Sequence, residues 1–124
     1  MVDITPVIPE GKQVINSYGD GGFVVSSKKI KSSLIVLPDE TIEWDVKDFA
    51  DISESSFKEL FNKNDIEVLL LGCGDKQQFL PHELEAIFKK NKIVVDCMDT
   101  GAACRTYNVL LSEERKVAAA LIAI

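Results

Sequence analysis

A chain of 124 residues, 46% hydrophobic and 27% charged, falls in the range of a single globular domain and can bury a substantial core. Its net charge of −6 argues against nucleic acid or an anionic membrane surface as partner, since both reward basic patches. No apolar run approaches the roughly 20 residues that span a bilayer, which excludes direct membrane insertion by a helix.

Residues 1–12 read as an extended arm, with Pro6 and Pro9 discouraging a helix. They show neither the basic-then-apolar order of a signal peptide nor the arginine-rich character of a transit peptide, so a cytoplasmic location is the expectation. Residues 13–27 read as a hairpin around Gly19-Asp20-Gly21-Gly22. This glycine-rich stretch invites a phosphate-loop reading, but no Walker lysine follows and no helix opens after it, so a plain turn is preferred. Residues 31–37 and 41–46 predict a second hairpin through Pro38-Asp39-Glu40. Ile42, Trp44 and Val46 alternate with polar neighbours, which places Trp44 on an apolar face as a core anchor and not a ligand platform.

A helix capped by Asp51 or Ser53 follows, with Phe57, Leu60 and Phe61 on one face, and residues 62–65 end it. The apolar run 66–71 predicts a central strand that stops at Gly72-Cys73-Gly74-Asp75. Pro81 suits the first turn of the next helix, in which Leu84, Ile87 and Phe88 share a stripe. Ile93, Val94 and Val95 are β-branched and predict a strand buried on both faces. Strand 66–71, helix 81–90 and strand 93–97 thus form a βαβ unit with parallel strands, which makes the fold class α/β. Met98-Asp99-Thr100-Gly101 breaks the run, and Asp99 or Thr100 can cap a helix placed after Gly101 that turns Tyr107, Leu110 and Leu111 inward. Val117 opens a last apolar run, a second core strand whose direction the connection length leaves open.

Loops at the carboxyl ends of parallel strands face one side, where ligands of open sheets bind. That rule brings together Gly72, Cys73, Gly74 and Asp75 with Asp99, Thr100, Cys104 and Arg105 at a helix start. Each has a plain reading beside the functional one. The glycines can serve only a sharp turn, and Asp99 and Thr100 only a cap. Cys104 can be a nucleophile of lowered pKa or a small buried hydrophobe. Arg105 can clamp a carboxylate or join a structural ion pair. His82, the single histidine, reads as a surface residue rather than a general base. The three cysteines, Cys73, Cys97 and Cys104, form no CxxC pair, so reduced thiols are expected, with no metal centre and no cofactor.

The stretches LGCGD at 71–75, VDCMDTGAACRTYNVL at 95–110 and ERKVAAALI at 114–122, with YGDGGF at 18–23, carry a resemblance over nearly the whole chain. They resemble a family catalogued as a domain of unknown function, whose eukaryotic members include a mitochondrial assembly factor for respiratory complex I. The resemblance implies a single compact domain over residues 1–124, with a mixed central sheet, flanking helices and a smaller antiparallel β layer. It supplies no agreed catalytic residues. Asn108, inside the MDTGAACRTYN block, joins the binding candidates. Two departures stand out: Asn91-Lys92 and Glu114 replace glycines common in the family, so a different geometry is expected at the final turn.

The sequence therefore supports a non-enzymatic binding or assembly protein with a protein partner. The alternative is a small-molecule-binding protein or small enzyme using the crevice of residues 72–75 and 99–105. Unpaired edges in the hairpins of residues 13–46 add a homodimer as an expectation.

Overall fold

The computed structural model describes residues 1–4, 11–63 and 65–124. The extended arm expected over residues 1–12 lies partly outside them; its described start, β1 (Val2–Asp3), pairs antiparallel with β2. Strands β2 (Ile15–Gly19), β3 (Gly22–Val25) and β4 (Lys28–Ile30) complete a four-stranded antiparallel sheet in the order β1-β2-β3-β4. The glycine-rich stretch is a plain hairpin turn, with Asp20 at φ 53°.

The second sheet holds β5 (Ser33–Val36), β6 (Thr41–Trp44), β7 (Val68–Gly72), β8 (Val94–Met98) and β9 (Val117–Leu121), in the order β6-β5-β9-β7-β8. It is mixed: β7 runs parallel to both β8 and β9, whereas β5 runs antiparallel to β6 and β9. Helix α1 (Lys58–Phe61) follows a 3-10 turn that begins after Ser53, whose N–H donates to Ser56 Oγ at 3.0 Å. Helix α2 (His82–Lys90) connects β7 to β8, and α3 (Thr100–Ser112) connects β8 back to β9.

Period-two alternation along the strands separates two cores. On one face Ile35, Leu69, Leu71, Ala118 and Ala120 pack under α1 and α2 with Trp44, Phe57 and Phe88. The Phe57 and Phe88 rings meet edge to face at 4.9 Å, and Trp44 lies 5.6 Å from Phe57 with its Nε1 donating to the Ser56 carbonyl at 2.7 Å. Trp44 is thus the expected core anchor. On the other face Leu34, Val36, Leu70, Val117, Ala119 and Leu121 meet α3 and the small sheet through Ile15, Tyr18, Phe23 and Tyr107. The α/β class, the βαβ unit, the mixed sheet and the smaller antiparallel layer are all present.

Three expectations change. Strand β8 is an edge strand, not one buried on both faces: β7 covers one side only, and Val94 is 67% exposed. Helix α3 starts at Thr100, because Asp99 supplies the cap. Pro81 occupies the N-cap position of α2 at φ −57°, one residue ahead of the first turn.

Candidate functional site

Strands β7, β8 and β9 all end on the same side of the sheet, at their carboxyl ends, so their loops converge on the start of α3. The two loops singled out from sequence do meet. The Cys73 N–H donates to the Met98 carbonyl at 2.8 Å, and the Thr100 N–H to the Gly74 carbonyl at 2.9 Å. A third segment, the end of β9, completes the cluster: the Ile122 N–H donates to the Gly72 carbonyl at 3.0 Å.

Thr100 ties these segments together. It is fully buried; its Oγ1 accepts from the Gly74 N–H at 2.9 Å and donates to the Ile122 carbonyl at 2.7 Å. Buried backbone groups need such partners, and a β-branched hydroxyl meets the need without opening the core. Asp99 accounts for the cap by itself, its Oδ1 accepting from the Ala102 N–H at 2.9 Å. The crevice between the loops is closed: a Cβ on Gly72 would lie 3.1 Å from both Cα and Oγ1 of Thr100 and 3.0 Å from Leu121. Gly74 sits at φ 106°, a conformation glycine adopts freely, and Asp75 beyond it points into solvent.

The helix candidates are held in the same way. Cys104 is fully buried, and burial pushes its thiol up to about 12, with neighbouring Arg105 pulling weakly the other way. A thiol so placed stays protonated at neutral pH and packs as a small hydrophobe. Arg105 is exposed and donates from Nη1 to Tyr18 Oη at 2.9 Å. Asn108 clips β2 to α3: its Nδ2 donates to the Ile15 carbonyl at 2.8 Å and its Oδ1 accepts from the Ile15 N–H at 3.1 Å. Tyr107 is also buried, and its hydroxyl donates to the Gln13 carbonyl at 2.9 Å. His82 is exposed at the first position of α2.

Two residues of chemical interest escape sequence reasoning. Tyr18 meets Arg105 from the other sheet, a contact that only the layered fold creates. Cys97, on β8, neighbours the Cys73 thiol and favours its ionisation, lowering it to about 7 against the opposing effect of burial. The same contact, with burial, raises Cys97. The pair gives up its first proton readily and its second reluctantly. Register was the missing signal: β7–β8 pairing sets Leu71 opposite Cys97, and Cys73 follows two residues later on the same face. Among the described residues, no group of three or more His, Cys, Asp or Glu side chains is placed to hold a metal ion, and no helix is long and apolar enough to cross a membrane.

Comparison with known proteins agrees with this architecture. The chain is 37% identical over 110 residues to the Bos taurus NADH dehydrogenase [ubiquinone] 1 alpha subcomplex assembly factor 3, covering 87% of this chain and 59% of the bovine one. It therefore spans about three fifths of that relative's length. A solved structure described as an outer membrane protein from Bartonella henselae superposes with a TM-score of 0.85 at 38% identity, covering 91% of this chain and 96% of that one. A Bordetella pertussis structure described as a Mth938-like domain gives a TM-score of 0.82 at 26% identity, covering 98% and 92%. Residues 15–122 match the family model described as a protein of unknown function (DUF498/DUF598), and with relatives at this identity the chain belongs to that family.

Proposed function

We propose that this chain is a non-enzymatic binding protein that holds a protein partner during the biogenesis of a respiratory or other membrane complex. The observation that carries this reading is the free edge of β8. Among the described residues its backbone groups on the outer side have no neighbouring strand, and Val94 at 67% exposure and Phe79 at 84% line one cleft beside it. Edge strands of this kind pair with an added strand, and adjoining apolar side chains supply the selectivity. The polar side chains at the loop cluster support the reading too, because Asp99, Thr100 and Asn108 are engaged in holding the fold. The relatives named as assembly factors are consistent with it.

Affinity capture from native cells with solubilised membranes tests it. Wild-type chain should retain a subunit of a membrane complex, and Phe79→Ser with Val94→Glu should lose it about tenfold at unchanged melting temperature. Equal recovery by both, or recovery of no membrane-complex subunit, removes the proposal. Sedimentation of the same protein across a concentration series tests a homodimer through the outer strands β4 or β6; an unchanging monomer mass removes that part.

A further inference from the structure

The β7–β8 ladder places two thiols side by side at the end of the sheet. Cys73 follows β7 directly, its N–H held by the Met98 carbonyl at 2.8 Å. Cys97 lies on β8 opposite Leu71, so both sulfurs project to the face covered by α2, and both pack into the core cluster beneath it. There the two thiols are neighbours that bias each other's ionisation, and the Cys73 thiol donates to the Leu71 carbonyl at 3.6 Å. Their exposure differs: Cys73 is buried, whereas Cys97 is half-buried and lines a surface cleft of about 420 Å³. Gln77, Phe79, Leu80, Phe88 and Val95 line the same cleft. Cys104, deep under α3 on the opposite face, shares none of this.

We propose that Cys73 and Cys97 form a dithiol modification site, in which a hydroperoxide entering by the α2–β8 cleft converts the pair into an intramolecular disulfide. The sulfur that the cleft exposes, Cys97, passes its proton to the neighbouring Cys73 thiolate and attacks one peroxide oxygen. The O–O bond breaks, hydroxide leaves and takes up the proton that Cys73 released on ionising, and Cys97 becomes a sulfenic acid. The Cys73 sulfur then attacks the Cys97 sulfur, the S–O bond breaks, and water leaves with the Cys73 proton. Two thiols and one hydrogen peroxide thus give one disulfide and two waters. The neighbouring Cys97 thiol favours ionisation of Cys73, which supplies the base that frees the Cys97 sulfur at neutral pH. Bond formation draws the neighbouring sulfurs to about 2.05 Å. Cys73 accommodates this because it lies one residue past the end of β7 and is followed by Gly74, whose Cβ position meets nothing within 4 Å.

The test treats the full chain with hydrogen peroxide at neutral pH, then denatures it in an alkylating reagent. The expected product is two hydrogens lighter, takes one alkyl group, at Cys104, and yields a cross-linked peptide joining residues 73 and 97; reductant restores three alkylated cysteines. Cys104→Ser should give the same cross-link. Cys73→Ala should stop at a sulfenic acid on Cys97, trapped by a cyclic 1,3-diketone, and should react about tenfold more slowly, since Cys97 loses the Cys73 thiolate that takes up its proton. Oxygen added to Cys97 without a cross-link in the wild-type chain overturns the proposal. So does a cross-link through Cys104, or equal peroxide rates for the wild type and Cys73→Ala. The wild-type cross-link decides the matter even where a variant folds poorly.

Discussion

Helix α2 hands the chain to β8 and helix α3 hands it to β9 through the same joint. After α2, the Lys92 N–H donates to the Lys89 carbonyl and the Ile93 N–H to the Phe88 carbonyl, both at 3.0 Å. After α3, the Glu114 N–H reaches the Leu111 carbonyl at 2.9 Å and the Arg115 N–H the Leu110 carbonyl at 3.0 Å. Both are Schellman closures, with Lys92 at φ 61° and Glu114 at φ 60° in the left-handed position. The strands they deliver then differ. All five residues of β9 are fully buried between β5 and β7, whereas β8 is the outer strand and alternates exposed with half-buried positions. Local chemistry builds the joint, and the layers packed on each face decide where the strand goes.

The largest effect should come where α3 is fastened and α2 is not. Thr100→Ala removes the one side chain that serves both the Gly74 N–H and the Ile122 carbonyl, and leaves two buried backbone groups unpaired. A loss of about 3 kcal/mol is expected by chemical denaturation. His82→Ala, at the equivalent first position of α2 but exposed, should stay within about 0.5 kcal/mol. Thr100→Ser, which keeps the hydroxyl, should recover most of the difference. Equal behaviour of the alanine and serine variants would remove the hydroxyl from the account.

One row across the sheet gives a direct contrast between the strands. Val68 on β7 pairs with Val94 on one side and Val117 on the other. Val117 is fully buried and Val94 is 67% exposed. Val117→Ala should therefore lose about 2 kcal/mol from transfer and cavity together, and Val94→Ala less than about 0.5 kcal/mol. Denaturant midpoints at constant slope would measure both; a matching loss at Val94 would mean that β8 is covered in solution.

That contrast marks the limit of what could be read from residues alone. The order of strands and helices followed from apolar runs and their breakers, and so did Trp44 as a core anchor. The convergence of the loops after β7 and β8 followed from parallel pairing. The edge position of β8 did not, because strand order depends on packing between segments distant in sequence. A signal existed: Asp96 interrupts the β8 run, while residues 117–124 contain no polar side chain. Thr100 and Asn108 stood out as polar candidates, but their partners, Ile122 and Ile15, are far along the chain, so a bridge looked like a site. The pairing of Cys73 with Cys97 needed the ladder register, which spacing does not supply.

A smaller effect separates the caps. The Asp99 side chain closes the first turn of α3, whereas Pro81 at the same position of α2 makes no side-chain cap hydrogen bond. Asp99→Ala should cost about 1 kcal/mol, and Asp99→Asn only a few tenths, since asparagine caps equally well. Thermal melts of both variants check this. Under the proposed function Asp99→Asn should also keep full partner recovery, because the carboxylate is turned to the helix. Loss of recovery at unchanged stability would return Asp99 to the functional site.

The smallest effect tests whether the two joints are equivalent. Asn91-Lys92 and Glu114 were the departures from the resemblance, and a different geometry was expected at the final turn. At Lys92 and at Glu114 the backbone is left-handed, with a side chain accommodated in it. A Cβ in that region is unfavourable by about 1 kcal/mol, while glycine loosens the unfolded chain by somewhat less. Lys92→Gly and Glu114→Gly should thus each stabilise the protein by about 0.5 kcal/mol, near 2 °C for a domain of this size. Gly74→Ala supplies the opposite sign: φ is 106° and the Cβ meets no atom within 4 Å, so backbone strain alone should lower stability by about 1 kcal/mol. Because the joints share one hydrogen-bond pattern, the two glycine variants should agree within error although one leads to the edge and the other to the centre of the sheet. A gain at Glu114 several times that at Lys92 would show that burial of β9 reaches back into its joint, and the separation of local joint from strand position would fail there.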